Sequence, residues 1–229
     1  ILICCMALSL LAGCGSSNAS DSSAAGESPA AEAVPEKTFS FRMGHSQAND
    51  HPFNDTCEYF ARLVNEKTDG AVNIDIFPNS QLGDEATMME SLSMGSLDFL
   101  MANGANTTAM VPELGMLGVC YLFDSKDHLV KVANDEDIFK MYTDIIDSKD
   151  LGIKLLNLMG NGTRNLYTNK PVEKLDDLKG MKIRVMPSAV DTLVWNTLGA
   201  TATTVAFSEV YSALQTKLVD GAENTYSSY

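Results

Sequence analysis

Basic residues are scarce in this sequence: Lys and Arg number 16 against 30 Asp and Glu, which leaves a formal net charge of -14. Phosphate backbones attract clusters of Lys and Arg, so this balance argues against nucleic acid as the main partner. Long apolar runs are also missing, because no stretch reaches the roughly 18 apolar residues that a membrane-spanning helix needs. The hydrophobic fraction of 45% is nevertheless that of a globular protein and too high for a disordered chain.

Sequence signatures of catalysis are also lacking. The chain has no G-x-S-x-G nucleophile elbow, no P-loop and no G-x-G-x-x-G dinucleotide motif. His45, His51 and His128 do not have the spacing of a metal motif and no Cys cluster supports them, which disfavours a zinc site. These absences disfavour a metal site and a nucleotide-binding motif, but they do not by themselves exclude an enzyme. Because triads are recognised by geometry and not by sequence order, an exported hydrolase stays a remote alternative.

The N-terminal segment predicts an export signal followed by a tether. Residues 1–13 are nearly all apolar, carry no charge and are too short to span a bilayer, as in a signal peptide whose Met and basic start are missing. The stretch from Leu11 to Cys14 resembles a bacterial lipobox, in which the Cys14 thiol is lipidated and the acyl chains insert into the membrane. An ordinary signal peptide with an incidental Cys is the alternative. Residues 14–37 are rich in Ser, Ala, Gly, Glu and Pro, which is typical of a flexible linker.

Two of the five Cys residues belong to the part of the chain that we expect to fold, namely Cys57 and Cys120. An exported protein could pair them in a disulfide. Cys57 falls on the apolar face of a predicted helix, and Cys120 lies between Val119 and Tyr121. We therefore expect two separately buried thiols, with the disulfide as the alternative.

The hydrophobic periodicity of the remaining chain predicts an α/β fold. In the first half, helices beginning near Phe53 and Asp84 alternate with strands over 39–43, 72–76 and 97–102. That β-α-β-α-β order is typical of a parallel sheet with helices on its faces. Further on, the pattern predicts one or two helices over 126–148, helices over 188–198 and 208–219, and strands over 153–159, 164–168, 181–186 and 201–205. The pattern thus predicts two α/β lobes.

Arg164 and Arg184 are the strongest candidates for ligand contacts among the four Arg residues. Arg184 lies in a predicted strand and Arg164 follows a tight turn into another, whereas Arg62 lies beside acidic residues on a helix. Strand ends are where ligands bind in α/β sheets, and a guanidinium grips a carboxylate with two parallel hydrogen bonds. A structural ion pair is the alternative, because 30 acidic residues could supply one.

Residues 38–229 contain nine short sequence motifs, and their occurrence in one order is more specific than any single motif. The longest are Phe77 to Gly83, Asp177 to Arg184, Phe207 to Gln215 and Val219 to Asn224. On these residues the chain resembles the substrate-binding proteins of tripartite ATP-independent periplasmic (TRAP) transporters, the DctP-like family. The resemblance implies a solute-binding protein without catalytic activity or cofactor, which captures an organic acid and delivers it to a TRAP-type membrane permease. A solute-binding lipoprotein of an ATP-driven importer or of a sensor kinase is the alternative.

The resemblance also implies a fold: a two-lobed, type II-like periplasmic-binding-protein clamshell in which each lobe is a mixed β-sheet flanked by helices. The solute-binding domain would span 38–229, with lobe 1 at about 38–158 and lobe 2 at about 159–229. Because members of the family continue well past the motif that ends at Asn224, we expect this chain to be incomplete at its C-terminus. The protein would be extracytoplasmic and anchored by lipid to the bacterial cell membrane.

Residue roles carry over from the family by position. The position of Arg184 forms a salt bridge to the ligand carboxylate, that of Arg164 also contacts the ligand, and that of Asn224 hydrogen-bonds the carboxylate. The remaining positions that the resemblance places in the cleft are Phe207, Asn103, Asn106 and His45. Together with Thr107, the two Asn residues form a polar patch without charge, which favours a hydroxylated monocarboxylate such as a sugar acid over a dicarboxylate.

Overall fold

The computed structural model describes residues 37–160 and 162–228. The predicted signal peptide, Cys14 and the linker up to residue 36 lie outside the described residues, so those predictions stand as predictions. No helix in the described part of the chain is both long enough and apolar enough to cross a membrane.

The first half of the described chain folds as predicted, into a three-stranded parallel sheet with helical crossovers. Its elements are β1 (Phe39–Gly44), α1 (Pro52–Lys67), β2 (Val72–Phe77), α2 (Glu85–Ser93) and β3 (Phe99–Leu100), with strand order β2-β1-β3. β3 is shorter than the predicted strand over 97–102. One reason is that the Asp98 carboxylate accepts the backbone N–H of Arg42 at 2.8 Å, in place of a further ladder bond along β1.

The start of α1 follows from local chemistry. Pro52 occupies the first turn, where a missing N–H costs nothing, and the His51 side chain accepts the N–H of Phe53 at 3.1 Å. The buried face of this helix packs on the sheet through Cys57, which meets Met43 and Ile74. This contact holds the carboxyl end of β1, and the loop that follows it, in place.

The middle of the chain is helical and contains one wrong prediction. Two short 3₁₀ segments (Gly104–Thr107 and Pro112–Gly118) precede α3 (Lys126–Ala133) and α4 (Glu136–Ser148), and the predicted helical stretch over 126–148 is therefore two helices. No strand forms over 153–159. Ile153, Leu155 and Leu158 are half-buried and pack against the core formed with α4, but no described strand pairs with this segment.

The second half forms a four-stranded mixed sheet of order β4-β7-β5-β6. Its elements are β4 (Asn165–Thr168), β5 (Lys182–Val185), α5 (Ala189–Thr197), β6 (Thr201–Thr204), α6 (Val210–Gln215) and β7 (Gly221–Asn224). β5 is parallel to β6 and β7, whereas β4 is antiparallel to β7. The predicted helix over 208–219 is shorter than expected, because it begins as a 3₁₀ turn (Phe207–Glu209) and ends at Gln215, and β7 was not predicted.

The centre of this second sheet is tightly packed. In β5, Ile183, Arg184 and Val185 are all buried. Both faces of the strand are therefore covered, whereas the alternation of its apolar residues indicates only one buried face. In β7, a Cβ at Gly221 would lie 2.6 Å from the backbone carbonyl oxygen of Tyr167 in the neighbouring strand. Only glycine allows β4 and β7 to approach so closely, and this approach aligns Asn165 with Asn224 at the carboxyl end of β7.

The two body cysteines are free and do not pair with each other. Cys57 is fully buried, as expected, with its Sγ 3.8 Å from the Sδ of Met101. The expectation of a second buried thiol is wrong, because Cys120 is exposed in the turn that follows the 3₁₀ segment ending at Gly118.

Candidate functional site

A small cavity lies where polar residues of both sheets meet. Each half of the described chain supplies five of its lining residues, which are Gln47, Phe53, Glu85, Asn103 and Asn106 from the first and Arg164, Arg184, Met186, Phe207 and Asn224 from the second. Six of the seven predicted site residues are thus brought together here.

The topology explains this convergence. Asn103 follows β3, Met186 directly follows β5, and Asn224 is the last residue of β7, so each is at the carboxyl end of a strand that has a parallel neighbour. Arg164 reaches the same edge from the opposite direction, because it immediately precedes β4, which is antiparallel to β7. Ligand sites in α/β sheets form at this edge.

Arg184 is the most deeply buried cation of the site, with 2% of its surface exposed. Its Nε donates to the backbone carbonyl of Val205 at 2.8 Å, and its two Nη groups make no hydrogen bond to a described residue. Burial lowers the pKa of its guanidinium, an effect opposed by the charge of Glu223 and reinforced by that of Arg164. The bond of Nε therefore fixes the guanidinium of Arg184, and its Nη groups remain as donors in a residue that lines the cavity.

Arg164 is held by Glu223 through a two-pronged ion pair. Its Nη2 donates to Oε1 of Glu223 at 2.9 Å and to the backbone carbonyl of the same residue at 2.8 Å, while its Nε pairs with Oε2. The structural ion pair considered for an Arg from the sequence alone therefore exists at Arg164, which nonetheless also lines the cavity.

The side chain of Asn224, next to Glu223, is oriented by the backbone of the residue that follows it. Its Oδ1 accepts the N–H of Thr225 at 2.9 Å, which turns the amide group at the end of β7. Asn224 is buried, with 5% of its surface exposed, and it lines the cavity.

Glu85 is a buried acid of the site that sequence reasoning missed. It is the first residue of α2, after the N-cap Asp84, and its exposed fraction is 5%. Its Oε2 accepts the backbone N–H of Asn103 at 2.9 Å and the Nδ2 of Asn106 at 2.7 Å, and its Oε1 accepts the hydroxyl of Ser46. The patch around the two Asn residues is therefore not free of charge, which corrects the reading from sequence.

His45 is the one predicted site residue that the structure places outside the cavity lining. Its ring is fully buried and does not line the cavity; its Nε2 lies 3.1 Å from Oδ1 of Asn54 on α1. Burial lowers the pKa of this imidazole, so the neutral form is favoured. The loop after β1 reaches the cavity through Gln47 instead, two residues further along.

Apolar side chains complete the lining. Phe53 comes from the first turn of α1, Met186 from the end of β5, and Phe207 from the 3₁₀ turn before α6. Phe207 is thus part of the wall, at the position that the resemblance indicates. The cavity has a volume of about 20 Å³, which is on the scale of the roughly 10–15 Å³ that one water molecule needs.

Asp191, on the first turn of α5, is an acid with a raised pKa near the two Arg residues. Burial and, to a smaller extent, the charge of Glu223 raise its pKa from 3.8 to about 6, against the lowering effects of Arg164 and Arg184. Its Oδ2 is buried without a hydrogen-bond partner among the described residues. The region thus holds two Arg residues beside two closely placed carboxyl groups.

Direct hydrogen bonds also join the two halves of the chain near this cavity. The Nε2 of His51 lies 3.1 Å from the hydroxyl of Ser227, and the hydroxyl of Thr108 donates to the carbonyl of Pro187 at 2.9 Å. All four groups are near the lining segments, so these contacts hold the two sides of the cavity together. Among the described residues, no group of three or more His, Cys, Asp or Glu could hold a metal ion.

Comparison with known proteins gives a consistent result. Residues 43–229 match the family model described as bacterial extracellular solute-binding protein, family 7 (DctP). A solute-binding protein from Chromohalobacter salexigens is 35% identical over 191 residues, which cover 83% of this chain and 56% of that relative. The chain therefore spans little more than half the length of this curated relative.

Solved structures agree with the sequence matches. The sugar acid binding protein DctPAm from Advenella mimigardefordensis, in complex with galactonate, has a TM-score of 0.78 and 33% identity, covering 84% of this chain and 61% of that one. A TRAP periplasmic solute binding protein from Sulfurospirillum deleyianum, with bound succinate, has the same TM-score of 0.78 and 33% identity, with the same coverage of 84% and 61%.

Proposed function

The chain belongs to the bacterial extracellular solute-binding protein family 7, and from that premise we propose that it captures an organic acid between its two halves. The acid would then pass to a TRAP-type membrane permease. The protein would act outside the cytoplasm, with lipid on Cys14 holding it to the cell membrane, and it would bind its ligand without converting it.

The observation that carries this proposal is the pair of Arg residues in the cavity lining. They are two of the four Arg residues in a chain whose formal net charge is -14. The groups that line a cleft attract an anionic ligand more strongly than the distant acidic surface repels it, because exposed charges are screened over about 10 Å. The Nη donors of Arg184 make no hydrogen bond to a described residue, and they offer the paired, parallel hydrogen bonds that suit a carboxylate.

The remaining lining suits the rest of a small organic acid. Phe53, Met186 and Phe207 provide apolar surface, and Asn103, Asn106 and Asn224 provide amide groups. A cavity of about 20 Å³ is too small for such a molecule, so the halves must separate to admit it. Ligand contacts made from both sides would then favour the closed arrangement by their differential affinity.

We propose a hydroxylated monocarboxylate, such as a sugar acid, as the ligand. Similar proteins differ in what they bind, since one carries galactonate and another succinate. The amide-rich lining of this cavity offers hydrogen bonds to hydroxyl groups and no third cation for a second carboxylate.

A thermal-shift screen followed by calorimetry would test the proposal. The protein, as its complete gene encodes it, is mixed with galactonate, galacturonate, glucuronate, succinate and the methyl ester of galacturonate. We expect stabilisation by at least one free acid and none by the ester, which keeps the sugar ring but removes the charge. If no organic acid binds, or if the ester binds as tightly as its acid, carboxylate capture by this cavity is wrong.

A further inference from the structure

His51 makes hydrogen bonds to both halves of the chain, beside the cavity but not in its lining. Within the first half it caps α1, because its Nδ1 accepts the backbone N–H of Phe53 at 3.1 Å. Toward the second half, its Nε2 lies 3.1 Å from the hydroxyl of Ser227 and 3.4 Å from that of Ser228. With 4% of its surface exposed, His51 is buried between the segments that it joins. The pairing of a carboxylate with the two Arg residues does not involve it.

A small network of hydroxyl groups extends this contact to the cavity. The hydroxyl of Ser228 lies 3.5 Å from Oε1 of Gln47, which lines the cavity. The hydroxyl of Ser227 lies 3.0 Å from that of Thr225, which directly follows the lining residue Asn224. The network therefore links the loop after β1 and the start of α1, in the first half, to the segment after β7 in the second.

The bond to Phe53 fixes which ring nitrogen of His51 carries the proton. Nδ1 is an acceptor there, so in the neutral ring the proton lies on Nε2, and Nε2 donates to the serine hydroxyl. A Ser beside a His has the spacing of a nucleophile and its base, but this Nε2 has no lone pair with which to take a proton. The contact of His51 with Ser227 and Ser228, which we call the clasp, therefore joins the two halves and is not a catalytic pair.

A proton on Nδ1 of His51 is incompatible with the clasp. It would face the N–H of Phe53, and it would place a positive charge at the N-terminus of α1, where the helix dipole opposes a cation. Burial and the charge of His45 lower the pKa of His51, whereas the charge of Asp50 raises it. The facing segment of the second half, residues 225–228, carries hydroxyl groups and no charge at neutral pH. When the halves separate and water reaches the ring, its pKa returns to about 6.5, so acid favours separation.

We propose that the neutral imidazole of His51 is a positioning group that clasps the two halves over the bound acid, and that its protonation opens the clasp and weakens binding. The inference rests on the proposed function, because it concerns how the same site retains its ligand. The clasp and a bound acid both favour the closed arrangement, so loss of one weakens the other. Affinity is then complete well above pH 6.5 and falls as the pH falls below that value, by up to ~10-fold per pH unit.

Three variants separate the clasp from the helix cap. His51→Asn cannot take up a proton in this range, and Asn is itself a good N-cap for α1. The double variant Ser227→Ala and Ser228→Ala removes the acceptors of the second half and leaves the bond from Phe53 to His51 in place. His128→Asn is the matched control, since His128 lies on α3, has 43% of its side chain exposed and does not line the cavity.

Calorimetry on the complete protein at pH 7.5 and 5.5 measures the affinity of whichever of galactonate, galacturonate, glucuronate and succinate binds most tightly. At pH 7.5, His51→Asn and the double Ser variant should bind it ~3–10-fold more weakly, the effect of losing one hydrogen bond. The ratio of affinities between pH 7.5 and 5.5 should be at least ~3-fold larger in the unsubstituted protein and in His128→Asn than in those two variants. Because titration of the acid itself is the same for every protein, it cancels in this comparison.

The outcomes distinguish this inference from the function on which it rests. An equal ratio in all four proteins overturns the role of His51 and leaves carboxylate capture intact. A double Ser variant with unchanged affinity and ratio also overturns it, because His51 would then act on α1 alone. Binding of none of the four acids at either pH overturns both. The double Ser variant keeps the helix cap, so it decides the matter even if His51→Asn does not fold.

Discussion

Arg164 forms a two-pronged ion pair with Glu223. Its Nη2 lies 2.9 Å from Oε1 of the acid and 2.8 Å from the backbone carbonyl of the same residue, and its Nε pairs with Oε2. Glu223 directly precedes Asn224, and Arg164 directly precedes β4. The pair therefore closes the ladder at the end where β4 begins and β7 finishes, next to both Arg164 and Asn224 of the cavity lining.

Glu223→Ala should accordingly destabilise the protein. The pair is largely buried, with 28% of the Arg164 side chain and 9% of the Glu223 side chain exposed. Removal of the acid leaves a partly buried cation without its partner, which costs about 2–4 kcal/mol of unfolding free energy once the exposure of Arg164 is allowed for. Urea denaturation followed by circular dichroism measures this loss.

The matched control for that substitution is Glu66→Ala. Glu66 pairs with Arg62 at 3.1 Å on α1, and both side chains are more than half exposed, at 54% and 59%. Exposed pairs of this kind contribute about 0.3–0.5 kcal/mol. Equal losses of unfolding free energy in Glu223→Ala and Glu66→Ala would mean that the Arg164–Glu223 pair contributes no more than an exposed surface pair.

The contrast between Arg184 and Glu85 shows how far the site could be predicted from the sequence. Arg184 stands out because Arg is rare here and because it lies within a recognisable strand. Glu85 is one acid among 30, and its burial depends on Ser46, 39 residues before it, and on Asn106, 21 residues after it. Periodicity reports local structure, so contacts over such distances leave no signal in it.

The same limit explains the errors in the predicted fold. The strands β1 and β2 were predicted well because their apolar residues alternate, whereas β7, with the sequence Gly-Ala-Glu-Asn, has no apolar alternation and few residues that favour strands. It is a strand because β4 and β5 pair with it from both sides. The predicted strand over 153–159 has the alternation, but no described strand lies beside it.

Arg184→Ala should weaken ligand binding by about 10²-fold or more, as is expected when one partner of a desolvated charge pair is removed. Arg184→Lys should also lose at least ~10-fold, because an ammonium group cannot reproduce the planar pair of donors. Calorimetry with the best acid from the screen measures both. The hydrogen bond from Nε of Arg184 to Val205 makes a check of folding by circular dichroism necessary.

Arg62→Ala is the control for these variants, because Arg62 is exposed on α1 and does not line the cavity. It should bind the acid as the unsubstituted protein does. A properly folded Arg184→Ala protein with unchanged affinity would show that the carboxylate binds elsewhere.

Asp191 makes stability depend on pH in a defined direction. Burial raises its pKa from 3.8 to about 6 in the folded protein. Because the folded state favours the protonated form, this group lowers stability as the pH rises from about 4 to 6, and the cost is complete above pH 6. Asp191→Asn imitates the neutral acid, so it should raise the melting temperature at pH 7.5 and have a smaller effect at pH 4.5.

Scanning calorimetry at the two pH values checks this prediction for Asp191. Asp55→Asn serves as the control, since Asp55 is also an acid in the first turn of a helix but is exposed. A gain that is equal at both pH values would show that Asp191→Asn acts through packing or helix propensity and that the carboxyl does not titrate near pH 6.

The two body cysteines should differ sharply toward thiol reagents. Burial raises the pKa of Cys57 to about 11, so only ~1 in 1,000 molecules carries the thiolate at pH 8, and no solvent reaches its side chain. Cys120 is exposed, and although burial of part of its surroundings also raises its pKa, reagent can reach it.

Maleimide labelling of the native protein should therefore fall markedly in Cys120→Ser and stay unchanged in Cys57→Ser. The reverse pattern would mean that α1 does not pack on the first sheet as described. Labelling of both sites after addition of urea would show that the protection of Cys57 depends on the fold.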